Sequence, residues 1–257
     1  MLTRHYCRYD SIVIYSWLSF SRLSIMSLNP ACSSTPALVI FCRRPAPGSG
    51  KQRIAATIGP ELTFELATHL LHTTLEDATS WPGPVVIAPA EQADQRWAEI
   101  LLAGNHRVCP QPEGNLGERL NVVDRTIRSA STEHLIYIGS DAPLLNDSYY
   151  EQARTALQTH DVVLGAAEDG GVVLMGARCA WPELGSLPWS TNDLGKQLEL
   201  LCIQHGLTLQ YLPTSYDIDF AHDLPRLQAD LHSDTRSARR ALHDWLTTAD
   251  FIPNNKT

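Results

Sequence analysis

The chain has 257 residues, which is enough for one large α/β domain or two small ones. Its net charge of −8, with no compensating basic stretch, argues against a broad electrostatic surface for nucleic acid, so a phosphate site would have to be local. The six cysteines are scattered without a C-x-x-C pair, a pattern typical of a reducing compartment, and we therefore expect a cytoplasmic protein.

The N-terminal segment differs in composition from the rest of the chain. Residues 11–25, "SIVIYSWLSFSRLSI", are apolar, but the run is short and Arg22 interrupts it, which makes it a poor membrane span. We expect residues 1–35 to be an unstructured leader outside the fold, with Met26 as the true start and no stable membrane insertion. A leader that associates weakly with membranes is the alternative. The domain itself is expected over residues 36–250.

Apolar runs of strand length alternate with helical periodicity from the first strand onward. The predicted strands cover residues 37–42, 84–89, 106–110, 134–141, 161–167 and 209–213, and the predicted helices cover 61–78, 92–103, 116–130 and 148–159. This alternation predicts an α/β fold, a single three-layer α/β/α domain around a mostly parallel mixed sheet. In such sheets ligands bind outside the carboxyl ends of the strands, so functional residues are expected in the loops that follow strands.

The loop after the first predicted strand, "PAPGSGKQR" at residues 45–53, combines glycines with two bases. It is not a P-loop, because Pro45 stands where the first glycine of G-x-x-x-x-G-K-[ST] belongs and Gln52 replaces the hydroxyl that holds magnesium. Lys51 and Arg53 still suit phosphate, whereas a solvated turn with two exposed bases is the alternative. As an exposed base, Lys51 would contribute little to the stability of the fold.

Acids follow three of the other predicted strands. Asp141 ends "HLIYIGSD", Asp169 follows "DVVLGAA", and Asp217, Asp219 and Asp223 follow "LQYLP". Two carboxylates bind a hard divalent cation through oxygen, the cation bridges phosphate oxygens, and the two bases neutralise the remaining charge. Taken singly, Asp141 and Asp169 are explained equally well as a helix cap and as a turn residue.

Six stretches, in their order along the chain, resemble one bacterial family. They are "PAPGSGKQRIA", "QPEGNLGERL", "GSDAPLL", "GAAEDGGVVLMG", "PWST" and "DIDFAHDL". Together they resemble the DUF2064 family, also called radical-SAM/selenodomain-associated transferase 1, from about Pro36 to about Leu231. That family is similar to the phospholactate guanylyltransferases. The resemblance implies a fold of the glycosyltransferase-A type, which is the nucleotide-diphospho-sugar transferase architecture.

The resemblance also implies a phosphate clamp and a metal site. Lys51 and Arg53 would clamp phosphate, and Gly48 and Gly50 would let backbone amides approach it. The implied metal ligands, for Mg²⁺ (or Mn²⁺), are Asp141 and Asp219. The implied catalytic residues are Lys51, Arg53, Asp141 and Asp169, and the residues expected to cap or orient are Asp217 and Asp223.

Further residues are implied at the edges of the site. Asp169, with Gly170 and Gly171, is expected to contact the acceptor or a sugar, and a plain turn is the alternative. Gly117 and Arg119 are expected to border the nucleotide. For Arg119 a solvated helix face explains the residue equally well.

Two reactions are compatible with these roles. The family name favours a glycosyltransferase-like activity, in which an acceptor hydroxyl attacks the anomeric carbon of a nucleotide sugar. The Lys/Arg loop resembles nucleotidyl transfer, in which a phosphorylated acceptor attacks an α-phosphate and pyrophosphate leaves. A non-catalytic nucleotide-binding module is the third hypothesis, because Val172 and Val173 replace two tyrosines of the family pattern. The expected partners are a nucleotide or nucleotide-sugar donor and a small-molecule acceptor.

Overall fold

The computed structural model describes residues 35–130 and 134–249. Residues 1–34, which make up all of the predicted leader except Thr35 and include Met26, lie outside this described part, so the leader stays a prediction. Across the described ranges, no helix combines the length and the apolar character that a membrane crossing needs.

Seven strands form one sheet in the order β3-β2-β1-β4-β6-β5-β7. Strands β1 to β7 are Ala37–Cys42, Val85–Pro89, Arg107–Val108, Leu135–Ile138, Val162–Ala167, Val172–Ala177 and Leu209–Ser215. Among these described strands only β6 runs antiparallel, between β4 and β5, while the other neighbouring pairs are parallel. The prediction of a mostly parallel mixed sheet is therefore confirmed.

Eight helices accompany the strands in the described part of the chain. Helices α1 to α8 are Gln52–Ile58, Pro60–Ser80, Gln95–Ala98, Leu116–Arg128, Asp147–Thr159, Leu194–Gln204, Leu224–Leu231 and Ser237–Thr248. The start of α4 is fixed by a capping box. The Asn115 side chain accepts a hydrogen bond from the Glu118 amide at 3.0 Å, and the Glu118 carboxylate accepts one from the Asn115 amide at 2.8 Å.

Successive residues of the central strand β1 face opposite sides of the sheet. Leu38 lies in a buried cluster with Leu71 of α2 and Leu157 of α5. Val39 lies in a second buried cluster with Val123 of α4, to which α6 also contributes. Helices therefore cover both faces of the sheet, and the predicted three-layer α/β/α fold is confirmed.

A third buried cluster joins helices that follow strand ends. Ile54 of α1, Leu66 of α2, Leu227 of α7 and Leu242 of α8 are completely buried in it, together with Ile218 from the segment after β7. Burial of these five side chains anchors the acidic segment around Ile218 against the start of α1.

The helix predicted over residues 92–103 is wrong in its length. The structure has a 3-10 turn at Gln92–Asp94 followed by the single turn of α3. The carbonyl of Ala98 accepts a hydrogen bond from the Leu101 amide at 3.3 Å and contacts Nε2 of His106 at 2.9 Å. Because the Ala98 carbonyl takes part in this turn, α3 ends there and the chain reverses toward β3.

The sequence predictions also lack β6. The run "VVLMGA" is as apolar as β5, and four residues, 168–171, connect the two strands. Such a short connection joins antiparallel neighbours, whereas a parallel crossover needs a dozen or more residues. The start of β6 therefore lies at the edge of the sheet where the parallel strands end.

Candidate functional site

The loop between β1 and α1 is built on left-handed backbone conformations. Gly48 and Gly50 have φ angles of 74° and 72°, and Lys51, which precedes α1, has a φ of 43°. The Ser49 amide donates to the Ala46 carbonyl at 3.0 Å, and the Gln52 side chain donates to the Gly48 carbonyl at 2.9 Å. The two glycines adopt these angles at little steric cost, which explains their presence in a compact loop.

Lys51 is not the exposed base that the sequence suggested. Its side chain is only 11% exposed, and its ammonium group donates to the Ile218 carbonyl at 2.6 Å and lies 3.1 Å from Oδ2 of Asp141. One side chain thus connects the loop after β1 with the segments that follow β4 and β7. Lys51 therefore contributes to the fold as well as to the charge of the site.

Arg53 contacts the acidic segment after β7. Its Nη1 lies 3.3 Å from Oδ2 of Asp219, and its guanidinium lies 5.0 Å from the centre of the Phe220 ring. Asp223 accepts hydrogen bonds from the amides of Asp219 and Phe220 at 3.1 and 2.8 Å, which is the orienting role predicted for it. The backbone that carries Asp219 is thereby held in place.

The two candidate metal ligands lie on segments that are joined through the backbone. The Ile218 amide donates to the Asp141 carbonyl at 2.9 Å, so the loop after β4 lies beside the segment that carries Asp219. Each carboxylate is paired with one base of the loop between β1 and α1, Asp141 with Lys51 and Asp219 with Arg53. The structure thus assembles the predicted bases and acids at one edge of the sheet.

Asp217 belongs to the same charged cluster, although the sequence suggested only a capping or orienting role. Burial first, and then the negative charges of Asp219, Asp169 and Asp141, raise the pKa of Asp217 from 3.8 to about 6. The charges of three other carboxylates therefore act on Asp217 at this edge. The signal available in the sequence was the spacing in "DID", which places two acids two residues apart.

The side chains at this site supply only some of the ligands that a hard divalent cation needs. Among the described residues, no three His, Cys, Asp or Glu side chains are arranged as a ready metal site. Asp141 and Asp219 offer carboxylate oxygens, which Mg²⁺ and Mn²⁺ accept. Mg²⁺ in particular is commonly held by one or two carboxylates, with substrate phosphates and water completing its shell. The residues present fit that arrangement.

The geometry of the turn between β5 and β6 gives a structural reason for the presence of Asp169, Gly170 and Gly171. Asp169 Oδ1 accepts a hydrogen bond from the Gly171 amide at 2.9 Å, as in an Asx turn. Gly170 has a φ of 87°, and a Cβ there would lie 2.0 Å from the Asn192 carbonyl oxygen. The plain-turn alternative accounts for these three residues, while the negative charge of Asp169 still reaches Asp217.

Gly117 and Arg119 also have local structural partners. A Cβ at Gly117 would lie 2.2 Å from the Leu184 carbonyl oxygen, so this position of α4 needs a glycine for close packing. The Arg119 Nε donates to the Gly114 carbonyl at 2.7 Å. The contact of these residues with a nucleotide stays a prediction.

Two cavities open beside this charged cluster. A polar cavity of about 250 Å³ is lined by Lys51, Asp141 and other residues of the two loops. An apolar cavity of about 190 Å³ is lined by Val172, Val173 and other residues from β4, β6 and the start of α4. Both include Phe41 and Gly139 in their lining, so the two cavities adjoin.

Two solved structures share this architecture. A protein from Desulfovibrio desulfuricans G20, proposed to be a nucleotide-diphospho-sugar transferase, is 23% identical, covers 83% of this chain and 96% of its own, and has a TM-score of 0.75. A cytidylyltransferase from Leptospira borgpetersenii serovar Hardjo-bovis (strain JB197) is 12% identical, covers 87% of this chain and 98% of its own, and has a TM-score of 0.50. These likenesses confirm the predicted glycosyltransferase-A-like fold.

The sequence comparisons give one family. No curated protein sequence matches the chain significantly. Residues 72–191 match the model of the family described as "Uncharacterized protein conserved in bacteria (DUF2064)". Four of the six stretches that suggested the resemblance lie inside these residues, from "QPEGNLGERL" to "PWST". Over residues 72–191 the chain is thus similar to DUF2064, in agreement with the resemblance that its motifs suggested.

Proposed function

We propose that the chain is a transferase that moves a nucleotidyl group from a nucleoside triphosphate to a phosphorylated small-molecule acceptor, with a divalent cation. The pairing of both loop bases with both candidate metal acids carries this proposal: Lys51 lies 3.1 Å from Asp141, and Arg53 lies 3.3 Å from Asp219. A triphosphate bound at this edge would find cationic donors and metal ligands side by side.

The roles of the chain's residues follow from where charge develops. Lys51 and Arg53 would donate to the non-bridging oxygens of the α-phosphate as an oxygen of the acceptor phosphate attacks the phosphorus. A bond forms from that oxygen to the α-phosphorus, the bond to the β-phosphate bridging oxygen breaks, and pyrophosphate leaves. A cation on Asp141 and Asp219 would supply further positive charge to the phosphate oxygens. Gly48 and Gly50 keep the loop backbone open to phosphate.

Glycosyl transfer from a nucleotide sugar is the second candidate function. The charges of Asp169 and Asp219 both act on Asp217, so Asp217 has two further carboxylates near it, and carboxylates accept hydrogen bonds from sugar hydroxyls. Against it, the cavity that adjoins the charged cluster is lined mainly by apolar side chains. Nucleotidyl transfer therefore accounts for more of the observed geometry.

The released product distinguishes the two reactions. The purified chain would be incubated with Mg²⁺, a panel of phosphorylated acceptors, and either the common nucleoside triphosphates or nucleotide sugars. We expect pyrophosphate release from one triphosphate that depends on both the acceptor and Mg²⁺. Release of a nucleoside diphosphate from a nucleotide sugar would establish glycosyl transfer instead. Binding of nucleotides without either product would establish the non-catalytic module.

A further inference from the structure

We propose that the apolar cavity beside the phosphate loop binds a hydrocarbon group of the acceptor, so that the acceptor is an alkyl or aryl phosphate rather than a sugar phosphate. This inference rests on the proposed function, because it names the chemical class of the second substrate of the same site.

The position of the cavity supports a single ligand that spans both compartments. The cavity lies between the end of β4, the start of β6, the start of α4 and the segment at Trp189. It adjoins the polar cavity of Lys51 and Asp141 through their shared lining residues, Phe41 and Gly139. A molecule with its phosphate near Lys51 can therefore extend its remaining part over Phe41 into the apolar cavity.

Two aromatic side chains in the lining of the apolar cavity, Tyr137 and Trp189, carry a polar atom, and each of these atoms already has a hydrogen-bond partner. The Tyr137 hydroxyl donates to Asp124 at 2.7 Å, and the Trp189 indole N–H donates to the Leu184 carbonyl at 2.9 Å. Ser190 supplies the remaining side-chain hydroxyl of the lining. A buried sugar carries several hydroxyls, and most of them would lose hydrogen bonds to water without finding a replacement.

The aliphatic lining favours hydrocarbon for the complementary reason. Leu116, the first residue of α4, is 42% exposed, and Val172 is half-buried at the start of β6. Covering such surfaces with a hydrocarbon group removes apolar area from water on both partners. Val172 and Val173 thus offer aliphatic surface and no hydroxyl group to a ligand in the cavity.

A series of simple phosphates tests the chemistry of the cavity. Dissociation constants of ethyl, butyl and phenyl phosphate and of glucose 1-phosphate would be measured for the full chain by ligand-observed NMR titration. We expect butyl phosphate to bind roughly tenfold more tightly than ethyl phosphate, since each buried methylene contributes a factor of about three to four. Glucose 1-phosphate should bind no better than ethyl phosphate.

Two matched pairs of variants test the location. Val172→Phe fills the cavity and should abolish the preference for butyl over ethyl phosphate, whereas Val122→Phe, at a 38% exposed valine outside the lining, should keep it. Leu116→Gln should reduce the preference, whereas Leu200→Gln, at a 40% exposed leucine of α6 outside the lining, should not. If Val172→Phe does not fold, the leucine pair decides.

Each result has one reading. The inference would be overturned by equal affinity for ethyl and butyl phosphate, or by glucose 1-phosphate binding more tightly than ethyl phosphate. It would also be overturned if the preference for butyl over ethyl phosphate persisted in both Val172→Phe and Leu116→Gln. Nucleoside triphosphate binding, titrated on the same samples, is independent of these results. Intact triphosphate binding with no alkyl preference leaves the proposed function standing, while an alkyl preference without triphosphate binding refutes the proposed function and keeps the apolar site.

Discussion

Arg239 of α8 donates to Asp77 of α2 at 2.7 Å, at a place where the arginine side chain is fully buried and the aspartate side chain is 5% exposed. The same guanidinium donates to the carbonyls of Pro143 and Leu145 at 3.0 and 3.2 Å. These carbonyls belong to the segment that follows Asp141. A helix near the end of the described chain thus supports the loop that carries a candidate metal ligand.

Replacing Arg239 should destabilise the fold strongly. Arg239→Met leaves the buried Asp77 carboxylate without its main partner, and we expect the free energy of unfolding to fall by about 3–5 kcal/mol. The free energy of unfolding is measured by urea denaturation, with circular dichroism as the signal. Arg240→Met changes an exposed arginine of the same helix and should stay within about 0.5 kcal/mol of the parent chain. Equal midpoints for the two variants would contradict this interpretation of the buried pair.

Replacing Lys51 should weaken both nucleotide binding and the fold. Lys51→Met removes a charged donor from the proposed phosphate site, and we expect the affinity for nucleoside triphosphate to fall by about 1.5–3 kcal/mol in calorimetric titrations. Its largely buried contacts with Ile218 and Asp141 are also lost, which should cost about 1 kcal/mol of stability. The control is Arg125→Met, at an exposed ion pair on α4. Unchanged triphosphate affinity would return Lys51 to a purely structural role.

The two candidate metal acids should act as a unit. Asp141→Asn and Asp219→Asn are each expected to lower Mg²⁺-dependent turnover by about 100-fold, because each removes a cation ligand. The double variant should lose little more than either single one, since the second loss falls on a site already disabled. Initial rates against Mg²⁺ concentration measure this, with the exposed Asp147→Asn as the control. Near-normal, Mg²⁺-dependent turnover in Asp219→Asn would rule out a shared cation.

Asp161 should make stability depend on pH under acid conditions. Hydrogen bonds from Thr208 and then from Arg178 lower the pKa of Asp161 from 3.8 to about 2. Because the folded pKa lies below the unfolded one, this stabilisation is complete above about pH 4 and is lost as the pH falls toward 2. We expect Asp161→Asn to be less stable than the parent chain by about 1 kcal/mol at neutral pH, because solvent screens the charge of the partly exposed Asp161.

The pH series needs a matched carboxylate. The stability difference between the parent chain and Asp161→Asn should shrink as the pH falls from about 4 to about 2, in thermal unfolding recorded at each pH. Asp244→Asn, at a 76% exposed carboxylate, should show no comparable convergence. A stability difference that stays constant over this pH range would mean that the charge of Asp161 does not stabilise its contact with Thr208, which connects the starts of β5 and β7.

Local periodicity was sufficient for six of the seven described strands and for helices α2, α4 and α5. The runs at β1, β2, β4 and β5 are apolar throughout because these strands are buried on both faces, and α2, α4 and α5 carry the periodicity of helices with one buried face. The direction of β6 and the shortness of α3 were not predictable in this way. Both depend on how the chain reverses, through a four-residue turn and through the contact of His106 with Ala98.

The sequence by itself determined the residue types of the candidate site and the strands that they follow, because the order of strands and helices places those loops at one edge of a parallel sheet. Only the tertiary structure decided which of them meet. It paired Lys51 with Asp141 and Arg53 with Asp219, and it added Asp217 to the cluster. The two ion pairs join residues 90 and 166 positions apart, and their geometry depends on the packing of α1, α7 and α8 around Ile218, which no local pattern encodes.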